Sequence, residues 1–336
     1  MAIEYQVLGA PGRDNALWVR VNSGQTITRL LFDCGDGCLS GLPLAEIHSA
    51  DHLLFSHLHM DHVAGFDQFF RCNFNRDAKP NVIWGPPDTA AAMHHRFQGF
   101  WWNLHGGQPG TWRVHDVDAN RVASYRYEIA EAFASEHDEG RIPHTGTILE
   151  TKELSVEIIQ LDHHGPCLGY LLREKPRSNV QTERLESLGL RPGPWMKALK
   201  DEQTEGSVEI DGQPHALVAL RETLLKETPG DSIAYLTDFR LDAVTEDRLV
   251  AWLDGCQTVI CEAQYRHSDL ELANRHAHLT TTLVGQLAAR AQIESLVLFH
   301  LSERYHATER QEMLEECRAL FPNTSFPQQW QLAAEI

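Results

Sequence analysis

Short apolar runs bounded by polar and turn-forming residues recur along the chain and read as buried strands. They fall at residues 3–9, 17–21, 29–32, 52–55, 81–84, 156–161, 168–172, 216–220, 232–236, 258–262 and 296–299. Other stretches carry helical periodicity. Residues 241–254 place Leu241, Val244, Leu249, Trp252 and Leu253 on a rough stripe stopped by Gly255. Residues 280–291 gather Leu283, Val284, Leu287, Ala288 and Ala291 on one face, and 88–98 and 307–320 read as helices too. Shorter helices are expected from Gly65 to Phe70 and from Glu183 to Leu188. Strand and helix alternate, which predicts an α/β layered domain. The first half is richer in strands, and residues 120–160 add several strand-like runs, so two packed sheets with helices outside fit both halves. Residues 173–215 are dominated by charges, proline and glycine before strands resume; they read as an excursion from a single domain spanning 1–336.

Ligand-type residues sit where these runs stop. The strand at 52–55 is followed by Ser-His-Leu-His-Met-Asp-His, which places His57, His59, Asp61 and His62 within six positions. Alternate residues point the same way, so His57 and His59 can grip one ion while Asp61 and His62, beyond the turn, grip a second. His163, Asp238 and His300 each end a later strand. Meeting at one edge of a two-sheet core, these residues suffice for two metals. His57, His59 and His163 would hold one; Asp61, His62 and His300 would hold the other, with Asp238 bridging. Imidazole and carboxylate suit zinc, and two ions roughly 3.5–4 Å apart can share a hydroxide for hydrolysis. Asp33, in the glycine-rich turn after 29–32, could orient a metal-bound histidine or simply form the turn. The paired His94 and His95 are expected on the surface. Residues 99–113, with Trp101, Trp102, His105 and Trp112, read equally as a substrate-facing loop or a packed insertion.

Composition narrows the setting. The chain has 336 residues, 42% of them hydrophobic, enough for a substantial core. No apolar run approaches the roughly 20 residues that cross a bilayer, and residues 1–6 have neither the basic nor the apolar region of a secretory signal. Seven cysteines without paired spacing fit a reduced cytoplasm, with Cys34 and Cys38 read as small buried thiols. A net charge of −18 opposes non-specific nucleic-acid binding without excluding a nucleic-acid enzyme, because local patches and bound cations set the potential at a site.

The motifs resemble those of the metallo-β-lactamase superfamily, and the later ones resemble ribonuclease Z. His57–His62 matches the HxHxDH signature. His163-His164-Gly165-Pro166-Cys167-Leu168-Gly169-Tyr170 is similar to H-x-x-P-x-x-G-Y, which selects His163 over His164. Cys261-Glu262-Ala263 with His278-Leu279-Thr280, and His300-Leu301-Ser302-Glu303-Arg304-Tyr305, resemble blocks of ribonuclease Z, as does the stretch 184–200. The resemblance implies an αββα sandwich of two mixed sheets and a tRNA-gripping arm within about 173–215. It implies two zinc ions, with manganese or another divalent ion as alternatives. It also implies removal of the 3′ trailer from precursor tRNA by in-line attack of hydroxide. On this reading Asp61 orients the hydroxide and takes its proton, and His278 is the general acid. Glu262 either orients His278 or is a buried structural carboxylate; Arg304 and Tyr305 either contact phosphate or lock the loop of His300. A homodimer is implied as well. The chain departs from the family pattern at Thr237, Phe239 and Gly35-Asp36-Gly37-Cys38-Leu39, and its arm segment lacks a dense basic cluster. Three function classes therefore stand side by side: the tRNA endonuclease, a hydrolase of another phosphodiester or of a lactone, ester or amide, and a non-catalytic RNA- or protein-binding module.

Overall fold

The runs near residues 30, 53 and 83 lack alternation because both faces of their strands are covered. The structure, a computed structural model, describes residues 3–24, 26–201 and 203–330. Strands Ile27–Phe32, His52–Leu54, Asn81–Gly85 and Thr111–Val117 run parallel at the centre of an eight-stranded sheet. Ile3–Gly9 and Asn15–Asn22 extend it antiparallel on one side, Arg121–Glu128 and His137–Pro143 on the other. Leu30, Phe32 and Leu54 face the core shared with a second sheet, whereas Leu31, Leu53, Ile83 and Val114 face the outer helices. A strand buried on both faces reads as one continuous apolar run.

The second sheet orders its strands Thr324–Ser325, Ser295–Phe299, Thr258–Glu262, Ser232–Leu236, Pro166–Glu174, Leu154–Asp162 and Thr147–Glu150. The first four are parallel, and Pro166–Glu174 runs antiparallel to Ser232–Leu236. Between the sheets Phe32 meets Tyr170 and Tyr235 with ring centroids 5.4 and 5.7 Å apart. Outside the first sheet, helices Phe66–Asn73 and Thr89–Gln98 bury Phe66, Phe70 and Phe97 against Trp112 and Phe133. The expected two-sheet sandwich with outer helices is therefore what forms.

The stretch 99–113 divides. Trp112 is a fully buried core residue, Trp102 is half-buried with its indole N–H donating to Phe97 O at 2.7 Å, and Trp101 is 87% exposed. His95 is on the surface as expected. His94 is instead half-buried, its Nε2 2.8 Å from Phe133 O, because it lies on the inner side of its helix beside Tyr127.

Contacts separate the chain into two units: Met1–Arg173 with Ser232–Ile336, which holds both large sheets, and Glu174–Asp231. The second unit pairs Arg177–Val180 with Leu225–Thr228 and Ser207–Ile210 with Gln213–Ala216. Its three short helices pack Leu185, Trp195, Leu199, Leu217, Leu220 and Leu224 into a small core. The strand expected at 216–220 is a helix, Leu217–Leu224. Leu217, Leu220 and Leu224 fall on one helical face in a run of good helix formers, a pattern that five apolar residues alone do not distinguish from a strand. Arg221 on that helix donates to the carbonyls of Ala198, Leu199, Asp201 and Thr204.

Candidate metal centre

Four strands end in residues whose backbone turns sharply. Asp33, His164, Asp238 and His300 all take left-handed conformations, with φ of 57°, 55°, 48° and 52°. Glycine would adopt these without strain, but it offers no side chain; non-glycine residues there cost of order 1–3 kcal/mol each. At Asp33, Asp238 and His300 the strained residue itself carries a polar side chain into the site. His57 and His59 follow strand His52–Leu54, and Asp61 and His62 lie in the helical turn Met60–Val63.

Two glycines allow this segment to press against the Asp33 loop. A Cβ on Gly65 would lie 2.2 Å from Gly35 O, and one on Gly35 would lie 2.4 Å from Asp61 O. The loops are joined by Cys34 N donating to His62 O at 2.8 Å and Gly65 N donating to Cys34 O at 2.9 Å. Gly65→Ala is therefore expected to separate them, lowering the melting temperature and the bound-metal content together. Calorimetric melting with metal analysis checks this.

The seven residues expected to act as ligands converge. Ligand atoms of His57, His59 and His163 lie within 4.8 Å of one another, as do those of Asp61, His62, Asp238 and His300. Asp238 Oδ2 lies 3.2 Å from His62 Nε2 and 3.7 Å from both His57 Nε2 and His163 Nε2, while Oδ1 lies 3.2 Å from His300 Nε2. Three of the candidate ligand histidines present Nε2 because Nδ1 is held. His62 Nδ1 meets Asp33 Oδ2 at 2.8 Å, His57 Nδ1 meets Ser56 Oγ at 3.0 Å and His163 Nδ1 meets Ala277 O at 3.0 Å. His57, His62 and His300 leave buried Nε2 atoms without a hydrogen-bond partner. Unpartnered buried donors or acceptors are expensive unless something further binds them. Histidine nitrogens and carboxylate oxygens in two adjoining groups are a donor set that fits a pair of divalent ions.

Charge follows from that crowding in the metal-free chain. Burial pushes the His57 imidazole down to about 2, with the neighbouring His62 adding to the effect. Burial would also lower His62, but the Asp238 and Asp33 carboxylates outweigh it and raise its pKa well above the ordinary value. Burial would raise Asp238, yet His300 and His62 hold it well below the usual carboxylate range.

His278 stands beside the cluster, its ring centroid 4.7 Å from that of His163. Its Nδ1 is 3.1 Å from the fully buried carboxylate of Glu262, which also accepts from Phe239 N at 3.1 Å. One carboxylate thus contacts both His278 and the backbone next to Asp238. Burial would lower the His278 pKa, but Glu262 raises it to about 9. Arg304 and Tyr305 separate. Tyr305 is buried; its hydroxyl donates to Asp269 and accepts from Arg266 N, locking the loop. Arg304 is exposed, with its guanidinium 5.4 Å from the centroid of the Tyr265 ring. Cys34 and Cys38 are buried thiols; burial pushes Cys38 up to about 12. Nothing in the sequence marks Ser56, Tyr235 or the Ala277 carbonyl. A serine and a tyrosine beside apolar runs carry no distinctive spacing, and a backbone carbonyl carries no sequence signal.

Comparisons with known proteins bear on the domain, the family and the fold. A sequence-family profile described as "Beta-lactamase superfamily domain" matches residues 28–180. A curated protein from Deinococcus radiodurans named Ribonuclease Z is 51% identical over 96% of this chain and 97% of its own. Human tRNase Z, short form, superposes with a TM-score of 0.51 at 17% identity, covering 91% of this chain and 94% of that one. The metallo-β-lactamase fold protein YhfI from Bacillus subtilis gives 0.56 at 13% identity, covering 96% and 95%. At such identities the two structures speak for the fold alone.

Proposed function

The chain belongs to the ribonuclease Z family of the metallo-β-lactamase superfamily, and from that premise we propose that it is a metal-dependent endoribonuclease that removes the 3′ trailer of precursor tRNA. One observation carries the substrate: the near full-length identity to a curated ribonuclease Z. The ligand cluster alone carries less, since hydrolases of other substrates use similar sets.

His57, His59 and His163 would hold one ion, and Asp61, His62 and His300 the other, with Asp238 between them. When bound, zinc or a similar divalent pair lowers the pKa of water and neutralises charge building on the phosphoryl oxygens. The chain's own groups do the rest. Asp61 is within reach of solvent, its side chain 43% exposed. Burial would raise its pKa, but the neighbouring His62, with Nε2 3.4 Å from Asp61 Oδ2, keeps it below the usual carboxylate range, so it is an anion at neutral pH. It orients the attacking water and takes its proton. The water oxygen bonds to phosphorus as the bond from phosphorus to the tRNA 3′-oxygen breaks. His278, protonated and aimed by Glu262, gives its proton to that leaving oxygen. The products are a 3′-hydroxyl on the tRNA and a 5′-phosphate on the trailer. Arg304, exposed beside the Tyr265 ring, would meet a substrate phosphate.

The seven cysteines are free thiols, and no helix among the described residues is long and apolar enough to cross a membrane. Both support a cytoplasmic reading; a homodimer follows from family likeness and is read by sedimentation. A second reading, a hydrolase of another phosphodiester or of an ester, is favoured by one feature: residues 174–231 carry eleven acidic against eight basic side chains. Cleavage of precursor tRNA with mapped product ends decides between them.

A further inference from the structure

Ser56 is fully buried and lies between two groups that the metal reading needs. Its backbone N donates to Asp33 Oδ1 and its Oγ to Asp33 Oδ2, both at 2.7 Å. Oδ2 also accepts from His62 Nδ1 at 2.8 Å and from the buried Tyr235 hydroxyl at 2.9 Å. The strand end is fixed further by Leu168 N donating to Ser56 O at 2.8 Å and Tyr170 OH donating to Phe55 O at 2.7 Å. Turning the Ser56 hydroxyl away would remove one of the four hydrogen bonds that these groups give to Asp33.

A serine hydroxyl has one proton, and here it goes to Asp33. The 3.0 Å contact between Ser56 Oγ and His57 Nδ1 therefore requires the histidine to donate. That places the His57 proton on Nδ1 and leaves the Nε2 lone pair facing the cluster, where Nε2 is buried without a hydrogen-bond partner. His57 belongs to one group of ligands and His62 to the other. Asp33 reaches His62 directly and His57 only through the serine.

We propose that Ser56 is a positioning residue through which the single Asp33 carboxylate sets the ring tautomer of one ligand in each metal group, directly for His62 and by relay for His57. The inference rests on the metal reading above. It separates two effects: losing the serine hydroxyl frees His57 and leaves His62 held, whereas losing the Asp33 charge loosens both. Partners of this kind are worth roughly 10–100-fold in metal affinity.

The experiment uses the full chain, stripped of metal and titrated with zinc against a chromophoric chelator, and compares parent, Ser56→Ala and Asp33→Asn. Ser56→Ala is expected to weaken one of the two binding steps by about 10–100-fold and leave the other unchanged, while Asp33→Asn weakens both. A general loss of folding would lower both steps together in Ser56→Ala and would contradict the relay, as would unchanged binding at both. A second measurement is independent of zinc: nitrogen-15 shifts of labelled histidine in the metal-free parent. His57 is expected as the Nδ1–H tautomer, moving towards a mixture in Ser56→Ala. An Nε2–H tautomer in the parent would overturn the relay. If the parent binds no zinc, the metal reading fails, and the tautomer measurement still decides the role of Ser56.

Discussion

Asp238→Asn is expected to leave a folded protein that has lost its metal pair and turns over about 10³-fold more slowly or worse, because several kcal/mol of charge stabilisation go with the ions. Asp238 is 1% exposed, and its two oxygens lie within 3.2–3.7 Å of the Nε2 atoms of four histidines. Asparagine has nearly the same shape and tolerates the left-handed backbone at φ 48°, so the turn is retained. It lacks the negative charge, and its amide group can point a donor where a ligand oxygen is required. Metal content and turnover should therefore fall together while the far-ultraviolet dichroism stays as in the parent. Two ions per chain with near-normal turnover would remove Asp238 from the bridging role.

His278→Ala is the second large effect, of a different kind. The proposed general acid supplies a proton and is not needed to hold metal, so turnover on an RNA phosphodiester should fall about 10²–10⁴-fold with metal content unchanged. A leaving group that needs no proton offers an internal control. On an activated aryl phosphodiester, whose phenolate departs unaided, the variant should lose far less. The geometry offers a competing outcome: ligand atoms of His163, Asp238 and His278 also lie within 4.8 Å of one another. If the variant loses an ion and is slowed equally on both substrates, His278 is a ligand and the acid must be sought elsewhere. Glu262 should matter through His278, since its carboxylate both contacts the ring and raises its pKa to about 9 against the effect of burial.

Much of the centre was legible because of how it is built. Strands Ser232–Leu236 and Ser295–Phe299 are buried along their length, so each reads as an apolar run that stops at Asp238 or His300. A ligand at the end of a buried strand stands out against such a run. The family blocks around Glu262, His278 and Arg304 then supplied roles that spacing could not. What escaped was the support beneath the ligands. Ser56 and Tyr235 contribute a hydroxyl and Ala277 a carbonyl; Tyr235 reaches Asp33 from the other sheet and Ala277 reaches His163 from 114 positions along the chain, and no local pattern encodes either approach. The order of those sheets, and the helix at Leu217–Leu224 in place of a strand, depend on long-range packing that five apolar residues do not encode. The stretch 99–113 was ambiguous for the same reason: Trp101 and Trp112 are alike in sequence, and neighbouring helices decide that only the second is core.

Cutting of RNA at the 3′ side of tRNA is read by incubating the metal-loaded chain with a precursor tRNA carrying a 3′ trailer, with and without a chelator, and mapping both product ends. One cut is expected, leaving a 3′-hydroxyl on the tRNA and a 5′-phosphate on the trailer, abolished by the chelator and restored by added zinc. An intact precursor under conditions where the same preparation hydrolyses an activated phosphodiester would contradict it.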